Sequence, residues 1–206
     1  EKLMLYEIKK KVTNEYDEID WSAVNVADIN QVAWGYDQPD VEPHAQLCYD
    51  KDYLYVRLYT KEKEIRAMEV GLHGMPCRDS CLEFFFAPMG DDRYFNIEFN
   101  PNCAMFLGFG TCPDTLFRLE KEIEPEKVMN PVAKRTKEGW EITYSVPFTM
   151  VKTFFPEFKP VSGTKMRANL YKCGDLTVKE HYFSWSPMPE KMTFHNPAAF
   201  GDMIFE

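Results

Sequence analysis

The sequence predicts an all-β protein, an antiparallel β-sandwich with little helix. Three features predict it: short runs of alternating apolar and polar residues, turn residues between them at short intervals, and scarce helical periodicity. "DWSAVNVADIN" (20–30) reads as an irregular or helical entry. "HAQLCYD" (44–50) and "YLYVRLYT" (53–60) flank Lys51-Asp52 as a hairpin, with Leu54, Val56 and Leu58 facing inward. "CLEFFFA" (81–87), the turn "PMGDD" (88–92) and "RYFNIEFN" (93–100) form a second hairpin. Pro101-Asn102 leads into "CAMFLGFG" (103–110), and "VAKRTKEGWEITYSVP" (132–147) supplies two strands around Glu138-Gly139. "TMVKTFF" (149–155) is long enough for one or two helical turns before Pro156. "KMRANLYKC" (165–173), "HYFSWSP" (181–187) and "GDMIFE" (201–206) complete a set of nine or ten strands. No repeat or linker separates two domains, so residues 1–206 are expected to form one.

Composition narrows the function. A chain of 206 residues can bury roughly 70% of its unfolded surface and needs no metal or disulfide to hold a core. A net charge of −9, with no large basic block, excludes nucleic acid and anionic membrane surfaces as partners. No apolar run reaches the roughly 20 residues of a bilayer span, and the charged start "EKLMLYEIKKKV" is no signal peptide. The chain is therefore expected to be soluble, and export requires a signal removed ahead of Glu1. Oligomeric state is not encoded in any visible pattern. Six cysteines (Cys48, Cys77, Cys81, Cys103, Cys112 and Cys173) allow 15 disulfide pairings, but no CxxC occurs. The Cys77-x3-Cys81 step has no matching pair for zinc, and Cys48, Cys81 and Cys103 read as small apolar residues.

The second hairpin carries the functional signal. Phe95, Ile97 and Phe99 alternate with Tyr94, Asn96 and Glu98, and pairing with 81–87 adds Glu83 and Phe85 to the second row. Such a row either meets water or grips a ligand rich in hydroxyl groups, since carboxylates and amides accept and donate the bonds a sugar offers. Paired carboxyls on neighbouring strands also permit a retaining glycosidase using Glu83 and Glu98. Against catalysis, a flat sheet lacks a water-excluding cleft, and no GxSxG, HExxH or phosphate-binding motif occurs. Asn169 and Tyr171 share a strand face and join the candidates if that face adjoins Glu98. His195 in "FHNP" either donates to a ligand or caps local backbone. Trp185 reads as a packing residue, and Trp21 and Trp34 receive no role.

Taken in order, "AQLCYDKDYLYVRLYT", "DSCLEFFFAP", "YFNIEFNPN", "RANLYKCGD", "HYFSWSP" and "FHNPAAFGDMIF" resemble the family 9 carbohydrate-binding modules, most closely their family 9-like branch. The resemblance implies a sandwich of immunoglobulin-like or jelly-roll type and non-catalytic binding of glucose- and xylose-type saccharides, often at chain ends, beside xylanase domains in some members. It also implies structural calcium in some members, for which Asp17, Glu18, Asp20, Asp50 and Asp52 offer oxygens without an ordered ligand loop; no cofactor is expected. Of the two tryptophans that clamp the sugar in xylanase-attached members, the first falls on Cys77 and the second on Phe194. The polar set falls on Glu83, Asn96 and Glu98, where the last two replace the family's usual Arg and Asn. The lost clamp at Cys77 keeps open an accessory protein-contact domain. The 11 Met and 4 His keep open a haem-binding sandwich.

Overall fold

In the computed structural model, which describes residues 4–36, 39–72, 74–119, 124–190 and 193–206, the chain is almost entirely β. Its strands are β1 (Leu5–Lys10), β2 (Val26–Asp28), β3 (Gln31–Val32), β4 (Val41–Tyr49), β5 (Tyr53–Glu62), β6 (Cys81–Ala87) and β7 (Tyr94–Phe99). They continue with β8 (Met105–Gly110), β9 (Phe117–Arg118), β10 (Val132–Arg135), β11 (Gly139–Pro147), β12 (Lys165–Cys173), β13 (Tyr182–Ser184) and β14 (Gly201–Phe205). Among the described residues, the short helices α1 (Pro125–Val128) and α2 (Phe148–Phe154) interrupt them. The predicted turn of helix before Pro156 is α2, which buries Phe148, Met150 and Val151. The entry around 20–30 divides into a 3-10 turn at Trp21–Ala23 and strand β2.

The first hairpin forms as its sequence dictates. Asp50 Oδ1 accepts from the backbone N–H of Asp52 at 2.9 Å and of Tyr53 at 3.0 Å, an Asx turn that fixes the β4–β5 register. Tyr49 then pairs with Leu54, and Leu54, Val56 and Leu58 point inward as predicted.

The expectation of an antiparallel sandwich requires correction. β1 runs parallel both to β14, with Tyr6 opposite Met203, and to β4, with Lys9 opposite Cys48. It joins two antiparallel halves into one curled mixed sheet of order β10-β11-β5-β4-β1-β14-β12-β6-β7-β8-β9. The inner faces of both halves share one core, in which Leu47, Val56 and Ile142 from one meet Phe84, Ile97 and Met203 from the other. Each such side chain contributes about 1.5–3 kcal/mol by leaving water.

One polar cluster interrupts that core. Lys172 is fully buried, and its three donors go to Glu62 Oε1 at 3.3 Å, Cys173 O at 2.9 Å and His181 Nε2 at 2.7 Å. Glu62 also accepts from Ser80 Oγ at 2.7 Å and Trp140 Nε1 at 3.2 Å. The ammonium only donates and Lys179 O only accepts, so His181 is the neutral tautomer with its proton on Nδ1, 2.7 Å from that carbonyl. Burial, aided by the neighbouring Lys172 charge, lowers its pKa to about 4. Removing one partner strands a buried charge, so Glu62→Ala should lower unfolding free energy by about 3–5 kcal/mol in urea titration. His181 titrates near 6.5 when unfolded and lower when folded, so the unfolded state binds the extra proton between those values. Stability should therefore fall as pH drops from 6.5 toward 4, and His181→Gln should flatten that limb of the melting profile.

Candidate functional site

Strand β6 is buried along its whole length, so its two faces serve two interiors. Leu82, Phe84 and Phe86 enter the main core, while Cys81, Phe85 and Ala87 enter a second cluster with Tyr94, Tyr171, Cys173, Phe194 and Phe200. The row Glu83, Asn96, Glu98 thus does not lie on a flat, wetted sheet. Segments around residues 75–77, 113–116 and 193–195 wall Glu83 and Glu98 into a cleft of about 390 Å³.

The predicted acids come together there. Glu83 stands directly opposite Glu98 on β7 and opposite Tyr171 on β12. Both glutamates line the cleft, yet they are only 2% and 7% exposed. Burial pushes the Glu83 carboxyl up to about 7, opposed by the S–H of Cys173 donating to its Oε1 at 3.0 Å. Glu98 is raised well above the ordinary carboxylate range by burial and then by the Glu83 charge. The pair therefore holds a proton near neutral pH and presents both donor and acceptor oxygens. Asp175 lines the same cleft and is raised by burial.

Asn96 is fully buried and acts one step back from the cleft. Its Nδ2 donates to Glu98 Oε1 at 2.8 Å, and its Oδ1 has no partner among the described residues. That oxygen lies over Gly108, its cross-strand partner on β8. Asn169 and Tyr171 lie on the expected face but not in the cleft. Asn169 is consumed by the backbone of Leu170 and Ser186. Tyr171 donates to Phe194 O at 3.1 Å.

Phe194 lines the cleft with Glu83 and Glu98. Tyr171 stacks on its ring at 4.0 Å and Trp34 lies against it at 5.2 Å, which leaves it 8% exposed. Trp34, which the sequence left without a role, takes over as the half-exposed ring at the cleft. Ala33 N–H donates to Tyr182 O at 2.9 Å, and Trp34 Nε1 reaches Pro189 O at 3.2 Å. Trp34 itself has φ +59, followed by Gly35 at +70. A bulky residue in the left-handed region is strained by about 1–3 kcal/mol and persists only where its surroundings impose it. The signal in the sequence is an aromatic directly before a turn glycine, in "AWGY". Tyr182, Asp175 and Cys173 are among the other cleft residues that sequence reading missed.

His195 lines the cleft, and its Nδ1 lies 2.8 Å from the Tyr94 hydroxyl. Burial lowers it to about 4, so the ring is neutral at pH 7 and combines one donor with one acceptor. Cys77 lines the rim without replacing an aromatic clamp. Trp185 is a core residue, as predicted. All six cysteines are free thiols. No helix among the described residues is long and apolar enough to cross a membrane.

The sequence profile of carbohydrate-binding family 9 matches residues 14–205, nearly the whole chain. The chain belongs to that family. As a family 9 member it is a non-catalytic carbohydrate-binding module, and the glycosidase, protein-contact and haem readings gain no support. A structure of a proposed carbohydrate-binding protein from Bacteroides uniformis is 26% identical, superposes with a TM-score of 0.84, and each chain covers 100% of the other. Two structures of a family 9 module from Caldicellulosiruptor kristjanssonii, one with glucose and one with cellotriose, each superpose with a TM-score of 0.66. Their identities are 13% and 12%, covering 98% of this chain and 96% and 94% of theirs. No curated protein sequence matches the module.

A Cβ at position 108 would sit 2.3 Å from Asn96 Oδ1 and 2.7 Å from the Phe106 ring. Gly108→Ala should therefore push Asn96 off Glu98 and cost about 1–3 kcal/mol by overpacking, measured by thermal unfolding.

Proposed function

We propose that the cleft is the saccharide site of this module and that it takes a glucose-type sugar at a chain end. The observation that carries this reading is the convergence of Glu83, Glu98, Asp175 and His195 in one cleft beside the Trp34 ring. A sugar presents hydroxyls around its edge and C–H bonds on its faces. The acids and imidazole match the first and the indole the second. The volume of about 390 Å³ lies at the small end of ligand sites, which suits one or two sugar rings rather than a long chain lying across a sheet. The family 9 modules solved with glucose and with cellotriose support the glucose configuration. Asn96 and Tyr171 act indirectly in this reading, the first by holding Glu98 and the second by fixing Phe194 under Trp34. Because Cys77 supplies no ring, the sugar is held from one aromatic side, formed by Trp34 against Phe194.

Isothermal titration with glucose, xylose and cellotriose tests the assignment. Glucose and cellotriose should bind, and Trp34→Ala and Glu98→Gln should each weaken binding about tenfold or more, equivalent to at least about 1.4 kcal/mol. Silence with all three sugars, or undiminished binding by both variants, would remove the cleft from consideration.

A further inference from the structure

The floor of the cleft holds more than hydrogen-bonding groups for a sugar. The antiparallel register of β6 and β12 sets Cys173 directly opposite Cys81, and Glu83 lies two residues along the same face. The two Sγ atoms and a Glu83 carboxylate oxygen all lie within 4.8 Å of one another. Cys77, on the short 3-10 turn Pro76–Arg78, opens onto the same cleft. That turn is tied to the end of β12 by Asp175 N to Cys77 O and Leu176 N to Arg78 O, both 3.1 Å.

Buried cysteines usually pack as small apolar side chains. Here the two thiols, which pack on one side against the second apolar cluster, also adjoin a carboxyl, and Cys173 Sγ lies 3.0 Å from Glu83 Oε1 and 3.6 Å from Cys77 O. The geometry points to a site for a soft divalent cation of the Zn²⁺ class, bound by Cys81 Sγ, Cys173 Sγ and a Glu83 oxygen, its fourth position facing the cleft beside Cys77.

Tetrahedral zinc with bonds of about 2.0–2.3 Å needs neighbouring ligand atoms about 3.3–3.8 Å apart, which small side-chain rotations reach from this arrangement. Two sulfurs with one carboxylate select zinc over magnesium or calcium, which prefer all-oxygen shells. Entry is through the cleft, which Glu83 and Cys173 both line. On binding, each thiol releases its proton to solvent, the proton held by the glutamate pair stays on Glu98 so that Glu83 coordinates as a carboxylate, the Cys173–Glu83 hydrogen bond breaks, and three metal–ligand bonds form. Sequence spacing pointed away from sulfur ligation because Cys77-x3-Cys81 lacked a second pair. The sheet register supplies one further cysteine, Cys173, from a strand far along the chain.

The test uses the full chain, reduced and freed of metal with a chelator, then titrated with Co²⁺ and Zn²⁺. One equivalent of Co²⁺ should produce thiolate-to-metal charge-transfer absorption that Zn²⁺ abolishes and Mg²⁺ or Ca²⁺ does not. Cys81→Ser and Cys173→Ser should each lower Zn²⁺ affinity at least tenfold, while Cys103→Ser leaves it unchanged. Zn²⁺ should also raise the melting temperature of the unmutated protein, a readout independent of whether the variants fold. Absence of the charge-transfer band, or Zn²⁺ affinity that survives both serine substitutions, would overturn the site. Sugar titration in parallel keeps the two readings apart: a protein that takes sugar without zinc loses only this one, and zinc without sugar loses only the saccharide assignment.

Discussion

Burial of strand β6 on both faces is the constraint from which the rest of the structure follows. A strand with a single buried face alternates apolar and polar residues, and its polar row meets water. In β6 the row facing away from the main core enters a second, smaller interior of Phe85, Tyr94, Tyr171 and Phe200. Glu83 belongs to that row and cannot reach bulk water along the sheet. It must be satisfied by its neighbours or by whatever enters the cleft. Every later feature of the site, from the raised carboxyl to the thiol beside it, is a consequence of that placement.

The molecule handles buried charge in two contrasting ways. In the main core, Glu62 meets a lysine, a serine hydroxyl and an indole N–H, so its oxygens are occupied and the cluster closes on itself. At the cleft, Glu83 faces another glutamate across the strand pair, and Asp175 lies nearby. Like charges directly opposite one another destabilise a sheet. The structure accommodates them through desolvation, which favours the protonated form, and through a donor on each, Cys173 on Glu83 and Asn96 on Glu98. A closed network serves stability. An open one leaves bonding capacity for a partner, and this difference distinguishes a structural buried acid from a functional one.

Legibility in the sequence tracked the range of the interactions involved. β12 emerged with its observed bounds because Met166, Ala168 and Leu170 alternate with polar residues over its first two thirds, and the β6–β7 hairpin placed Glu83, Asn96 and Glu98 on one face through a local turn. β1 was missed. Its Tyr6 and Ile8 alternate correctly, but the lysine run that follows hides the pattern, and its parallel partners lie at the far end of the chain and in β4. The same limit applied at the site. Trp34 reaches the cleft only because β3 pairs with β13, with Val32 opposite Phe183, a contact no local pattern announces. Asn169 and Tyr171 were put on the right face, but their burial depends on loops that fold over them. Family resemblance carried the function where local pattern stopped, and it pointed to Phe194, which lines the cleft with only a small part of its ring exposed beside Trp34.

The stack of Tyr171, Phe194 and Trp34 sets how aromatic rings are presented at the cleft. A platform ring must be held rigid beneath and left open above. Phe194 is held from beneath by Tyr171, whose hydroxyl also fixes the Phe194 carbonyl. Laying Trp34 over Phe194 moves the open face outward by one ring without losing that support, since each ring in the stack rests on the one below. The indole is further anchored at Pro189 O and against Tyr182, so its orientation is set from three sides. An aromatic surface for a sugar therefore need not come from the aligned position. A ring delivered to the top of a buried stack can serve as well, and the strained turn at Trp34-Gly35 places the indole at the cleft.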